Sequence, residues 1–238
     1  VCCGGVQFEE AFDPEKNHDC IVQRELTEKW HGRDDGRIRV DASLHAEYTS
    51  REGLCRWMAR FAADHGLGMH VHLSETRKEH EECKLRHGGL TPAAYLAGLG
   101  VFDVRAIAAH CVWTTPEDWA LLAEKGVSAV HNPVSNLKLG SGVAPVVDLR
   151  GAGVNVALGT DGVSSNNCTD NDMPELTIGI RIYQRIIYTI RIPVETLREI
   201  RHLHERVGTQ EPCQQWVVHT AVHGIRPNVR DPYSHGGI

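Results

Sequence analysis

The sequence predicts a parallel α/β fold, and three observations carry that reading. Short apolar runs alternate with segments of helical periodicity through the middle of the chain. Turn signals separate them. A polar residue of metal-ligand type follows each apolar run at its C-terminal end.

The elements follow in order. Arg37–Leu44 (RIRVDASL) reads as a strand. In 51–65, Leu54, Trp57, Met58 and Phe61 fall at helical spacing, and Gly66 and Gly68 supply the stop. Met69–Leu73 is a short strand. Residues 75–87 are charged and helical up to Gly88-Gly89. Thr91-Pro92 opens another helix with proline at its first position. Ala106–Cys111 is a buried-strand candidate, and Thr115-Pro116-Glu117-Asp118 starts a helix ending near Lys125 and Gly126. Residues 127–131 form a strand, followed by a long loop rich in Asn, Ser and Gly. Val146–Gly151 is a short helix, and 154–158 is a strand that ends at Gly159-Thr160-Asp161. In a closed α/β barrel the C-terminal strand ends converge on one face. His45, His72, His110, His131 and Asp161 all lie at or just past such ends.

Composition narrows the function classes. The chain has 238 residues, is 41% hydrophobic and 24% charged, and carries a net charge of −6. That balance suits a globular protein with neither nucleic acid nor an anionic membrane as partner. No apolar run reaches membrane-spanning length and no signal peptide is visible. The eight cysteines are scattered, with no C-x-x-C pair, which favours reduced thiols and a cytoplasmic location. The chain begins at Val1, so a piece of a longer protein is expected.

Four motifs then carry a resemblance. His72-Leu73-Ser74-Glu75-Thr76, Ala109-His110-Cys111, the run from His131-Asn132-Pro133-Val134-Ser135-Asn136 to Leu137-Lys138-Leu139-Gly140, and Gly159-Thr160-Asp161-Gly162 occur in that order. Together with Ser164-Ser165-Asn166-Asn167 they resemble the amidohydrolase superfamily, in its methylthioadenosine/S-adenosylhomocysteine deaminase branch. The likeness spans roughly residues 29–172, and the N-P-V-S-N-L-K-L-G-S-G stretch is its most specific part.

The resemblance implies a partial TIM-type (β/α)8 barrel of metal-dependent hydrolase type, comprising about the last five strands. It implies hydrolytic deamination of a 6-aminopurine nucleoside to the inosine form and ammonia. His72 and Asp161 would be metal ligands, with Asp161 also the base for the attacking water. Glu75 would shuttle protons, His110 would orient and polarise the reacting centre, and His45 would line the nucleoside pocket. Zinc is the expected metal, with Fe2+ or Mn2+ as alternatives. The expected partner is a small nucleoside, and homo-oligomerisation stays open.

The residues taken singly leave other roles open. His45 could be a core or capping histidine, and His131 and Asn132 could be pocket wall or loop scaffold. His70-Val71-His72 is itself an H-x-H, but the Ser74-Glu75-Thr76 that follows gives the metal role to His72 and packs His70 one layer lower. His202-Leu203-His204 has no matching neighbours.

Two departures qualify the resemblance. The family's first-strand H-x-H metal pair has no counterpart upstream of His45. Beyond Asp172 the likeness fades, no lysine follows Lys138, and arginines crowd the tail. The expected organisation is therefore 1–30 as a poorly matched N-terminal segment, 31–172 as barrel and 173–238 as a divergent tail. A change of reading frame near residue 172 and a divergent accessory segment account equally for the tail. The rival functional readings are a catalytically silent barrel fragment and a sister-branch enzyme acting on triazines or guanine.

Overall fold

A computed structural model of the chain describes residues 4–8, 10–162 and 164–166. The tail beyond residue 172, with its Arg-rich run and His202-Leu203-His204, lies outside the described residues.

Five strands form one parallel sheet in chain order: β1 (Ala42–Ser43), β2 (Met69–Leu73), β3 (Ala106–His110), β4 (Ser128–His131) and β5 (Asn155–Leu158). A sheet that grows by one neighbour at a time, with no reversal of order, is an arc of a (β/α)8 barrel. Doubly wound folds instead reverse strand order at a switch point. The register sets Leu73 beside His110 and His131 beside Leu158, so the strand ends carrying polar residues lie level.

The helices are α1 (His18–Trp30), α2 (Glu52–His65), α3 (Arg77–Arg86), α4 (Pro92–Gly98), α5 (Pro116–Glu124), α6 (Pro133–Lys138) and α7 (Val146–Gly151). Local chemistry sets their ends. Thr76 and Thr115 cap α3 and α5 in reciprocal boxes with Glu79 and Asp118, and Thr91 caps α4, where Pro92 leads. Gly66 closes α2 in the left-handed region at φ 62°, which glycine adopts without steric cost.

Two expectations are corrected, and the N-terminal stretch adds a finding. The strand expected over 37–44 pairs only at Ala42–Ser43, because the chain before it turns through Gly32 and Gly36. The loop expected after residue 131 begins with α6, started by Pro133. The N-terminal stretch is structured. Asn17 caps α1, whose Cys20 and Gln23 are fully buried. An extended stretch bridges Gly5 to Leu44 and Gln7 to Ser50 in parallel, covering the outer edge of β1. Gly5 allows that approach, since a Cβ there would stand 2.9 Å from the Ser43 carbonyl oxygen.

The core lies between sheet and helices. Leu54, Met58, Met69, Leu73, Leu96, Phe102 and Leu122 are all nearly inaccessible. Phe102 is among the largest fully buried side chains. Phe102→Ala is expected to cost about 3–5 kcal/mol of stability. A urea titration would read it as a lower midpoint at unchanged slope.

Candidate metal centre

His72 is the penultimate residue of β2. Its ring Nδ1 lies 2.6 Å from the His45 carbonyl oxygen. A carbonyl can only accept, so the Nδ1 proton is fixed there and the lone pair sits on Nε2. Burial and the adjacent His110 hold the His72 imidazole below its ordinary pKa, which keeps it neutral as a ligand must be.

His110 ends β3 at φ 73°, and Asp161 follows β5 at φ 60°. Neither is glycine, and each such residue costs about 1–3 kcal/mol unless its surroundings hold it. The left-handed turns occur where the chain leaves the sheet beside the other polar residues. Asp161 is 5% exposed and accepts from the Ser135 hydroxyl at 2.6 Å and the Ser165 hydroxyl at 2.8 Å. Burial alone would raise its carboxyl pKa. The net shift is downward because His110 and the two hydroxyls outweigh burial, so the carboxylate is ionised.

Ligand atoms of His72, His110 and Asp161 lie within 4.8 Å of one another. His110 Nε2 is 3.8 Å from Asp161 Oδ2 and 3.7 Å from Glu75 Oε2. Both gaps exceed hydrogen-bond reach but match two groups converging on a shared atom. The donor set of two imidazoles and a carboxylate is one that a divalent transition metal takes.

Glu75 is held over this point by a second carboxylate. Glu79 accepts the backbone N–H groups of Ser74, Glu75 and Thr76 at 3.0, 2.8 and 3.4 Å, which pins the loop. Burial pushes the Glu79 carboxyl up to about 7 against those three donors. The Thr76-x-x-Glu79 box was a readable signal for this support, and sequence reasoning left it unused. Ser141 donates to Glu75 Oε1 at 3.3 Å.

His45 stands at the same site. Its ring lies 5.1 Å from that of His72 and 5.9 Å from that of Tyr48, and its Nδ1 is 2.7 Å from Thr49 Oγ1. Burial, then the neighbouring His72 and His110 imidazoles, which oppose a further positive charge, bring its pKa down to about 4. His70 is buried, with its ring 6.4 Å from that of His72. Asn132 touches the path of β5: a Cβ on Gly159 would meet its Oδ1 at 2.4 Å, so only glycine lets the last strand end approach.

A second group of ligand-type residues, Glu47, Cys83 and His87, also lies within 4.8 Å. There Arg86 already grips Glu47 at 2.6 and 3.2 Å and His87 Nε2 lies 2.7 Å from it. A guanidinium on the carboxylate opposes a cation. This cluster is an ion-pair network around the buried Glu47 carboxylate.

Comparison with known proteins follows the same lines. Residues 3–195 match the amidohydrolase family. The chain is 50% identical over 145 residues to a 5-methylthioadenosine/S-adenosylhomocysteine deaminase of Moorella thermoacetica, covering 61% of this chain and 34% of that protein. It is 47% identical over 149 residues to a 5'-deoxyadenosine deaminase of Methanothermobacter thermautotrophicus, covering 62% and 34%. Among solved structures it is similar to a zinc-bound adenosine deaminase from Xanthomonas campestris, with a TM-score of 0.68 and 33% identity over 79% of this chain and 42% of that one. The chain spans about a third of the length of the curated relatives it matches.

Proposed function

This chain belongs to the amidohydrolase family, and on that premise we propose that it carries the reacting face of a hydrolytic deaminase for 6-aminopurine nucleosides. The substrates in view are S-adenosylhomocysteine, methylthioadenosine, 5'-deoxyadenosine and adenosine, and the products are the inosine form and ammonia. The observation that carries this reading is the convergence of His72, His110 and Asp161 within 4.8 Å, with Glu75 alongside. The names of the relatives support the substrate class.

His72 and Asp161 would hold the metal, with His110 Nε2 near enough to join or to face it. Zinc suits these donors best, and Fe2+ or Mn2+ would also accept them. When bound, the metal would bring the pKa of a water toward neutrality. Asp161 accepts a proton from the attacking water. His110 orients that water toward the ring carbon bearing the amino group. Glu75 protonates the adjacent ring nitrogen and regains a proton from the adduct's hydroxyl as the carbonyl forms, while Asp161 passes the proton it took from water to the departing ammonia. His45 and the half-exposed Tyr48 would form the wall against the nucleoside.

The residues given these roles all fall within 31–172, inside the span 3–195 that matches the family. A cytoplasmic setting fits the buried thiols of Cys20, Cys55, Cys83 and Cys111, none of which is in a disulfide. Among the described residues no helix is long and apolar enough to cross a membrane.

The test is ammonia release by the purified full chain from each of the four nucleosides, with zinc added and with a chelator. Zinc-dependent ammonia is the expected result. Zinc-loaded protein that leaves all four intact would sink the reading in favour of a silent barrel fragment. Turnover of guanine or a triazine instead would point to the sister branch.

A further inference from the structure

The stretch from α6 to Ser141 touches three of the four reacting side chains. Ser135 donates to Asp161, Ser141 donates to Glu75, and Asn136 Oδ1 lies 2.8 Å from His110 Nδ1. Asn136 and His110 are each 1% exposed. The stretch is itself fixed by Asn136 N–H on the Asn132 carbonyl, Ser141 N–H on the Asn136 carbonyl, and the Trp113 indole on the Ser141 carbonyl. Asn136 Nδ2 has no hydrogen-bond partner among the described residues. An amide buried with one end unsatisfied is costly where leucine would fill the same volume. Among the described residues its side-chain hydrogen bond is the one to His110.

Resting on the deaminase reading above, we propose that Asn136 is a positioning residue that keeps the proton of His110 on Nδ1 and so points the Nε2 lone pair at the reacting centre. An Asn oxygen can only accept, so the bond requires Nδ1–H. The opposite amide orientation would move the proton to Nε2 and aim an N–H at the Glu75 and Asp161 carboxylates. At 3.7 and 3.8 Å neither carboxylate accepts a hydrogen bond, so nothing compensates that tautomer. With the lone pair on Nε2, His110 can accept from the attacking water or join the metal. Partners of this kind orient a ring without touching substrate.

The experiment is 15N NMR of the imidazoles in the metal-free full chain, with His110 assigned by the signal lost in His110→Gln. The parent is expected to carry the proton on Nδ1. Asn136→Asp, which still accepts, should keep it there. Asn136→Leu should move it largely to Nε2. In the loaded protein Asn136→Leu should lower kcat about 10- to 100-fold while KM changes little. A parent with the proton on Nε2, an Asn136→Leu protein that retains Nδ1–H, or an Asn136→Asp protein that loses it would each overturn the proposal. The Asp variant decides the matter if the Leu variant does not fold. Because the NMR arm needs no turnover, a chain with the Nδ1 signature that releases no ammonia would refute the deaminase reading alone.

Discussion

Asp161→Asn is expected to abolish nucleoside deamination, with a loss on the order of 10³-fold or more, because one change removes both a ligand charge and the base for the attacking water. The side chain is buried and receives two serine hydroxyls. Both hydroxyls reach the same oxygen, Oδ2, whose place an amide oxygen can take, so the change removes the negative charge offered to a cation rather than the two hydrogen bonds. Zinc affinity should fall with activity, and titration against a chromogenic chelator reads it without substrate. Asp148→Asn, on the exposed side of α7, is the control and should change neither quantity. An Asp161→Asn protein that binds zinc as tightly as the parent would remove Asp161 from the ligand set.

The second large effect is acid instability centred on His131. This residue ends β4, is 4% exposed, and has its pKa brought down to about 3 by burial and then by the neighbouring His110. In the unfolded chain an imidazole titrates near 6.5. The folded value is depressed, so the stabilisation is fully present above about pH 6.5 and is lost as the pH falls toward 3. A displacement of that size corresponds to roughly 5 kcal/mol. His45 and His70, both brought down to about 4, add to the same window. Urea midpoints of metal-free protein from pH 7 to pH 4 should fall steeply. His131→Leu should flatten that dependence by up to one proton. Equal slopes in parent and variant would mean that His131 is not the buried neutral group described.

Much of this could be read in the sequence because the physics is local. Strand β2 runs over Met69–Leu73 as its apolar run indicates, and Thr91-Pro92 and Thr115-Pro116 start helices because capping hydroxyl and proline act within one turn. The family and the barrel arc were legible from ordered motifs, and the family match and the strand order both agree. The segment 5–7 beside β1 was not legible. Two isolated bridges to residues roughly 40 positions away leave no periodic signal. Helix α6 was hidden because Asn, Ser and Gly around it read as turn residues, although Pro133 marks its first position.

By itself the sequence determined which residue types stand at successive strand ends, since alternation and turn chemistry are written along the chain. Only the tertiary structure decided which atoms of those residues face one another. The left-handed turns at His110 and Asp161 are disfavoured locally and exist only where the packed sheet holds them. The proton positions on His72 and His110 depend on acceptors 27 and 26 residues away. A hydrogen bond across the fold has no trace in local propensity, so these positions come from the three-dimensional arrangement.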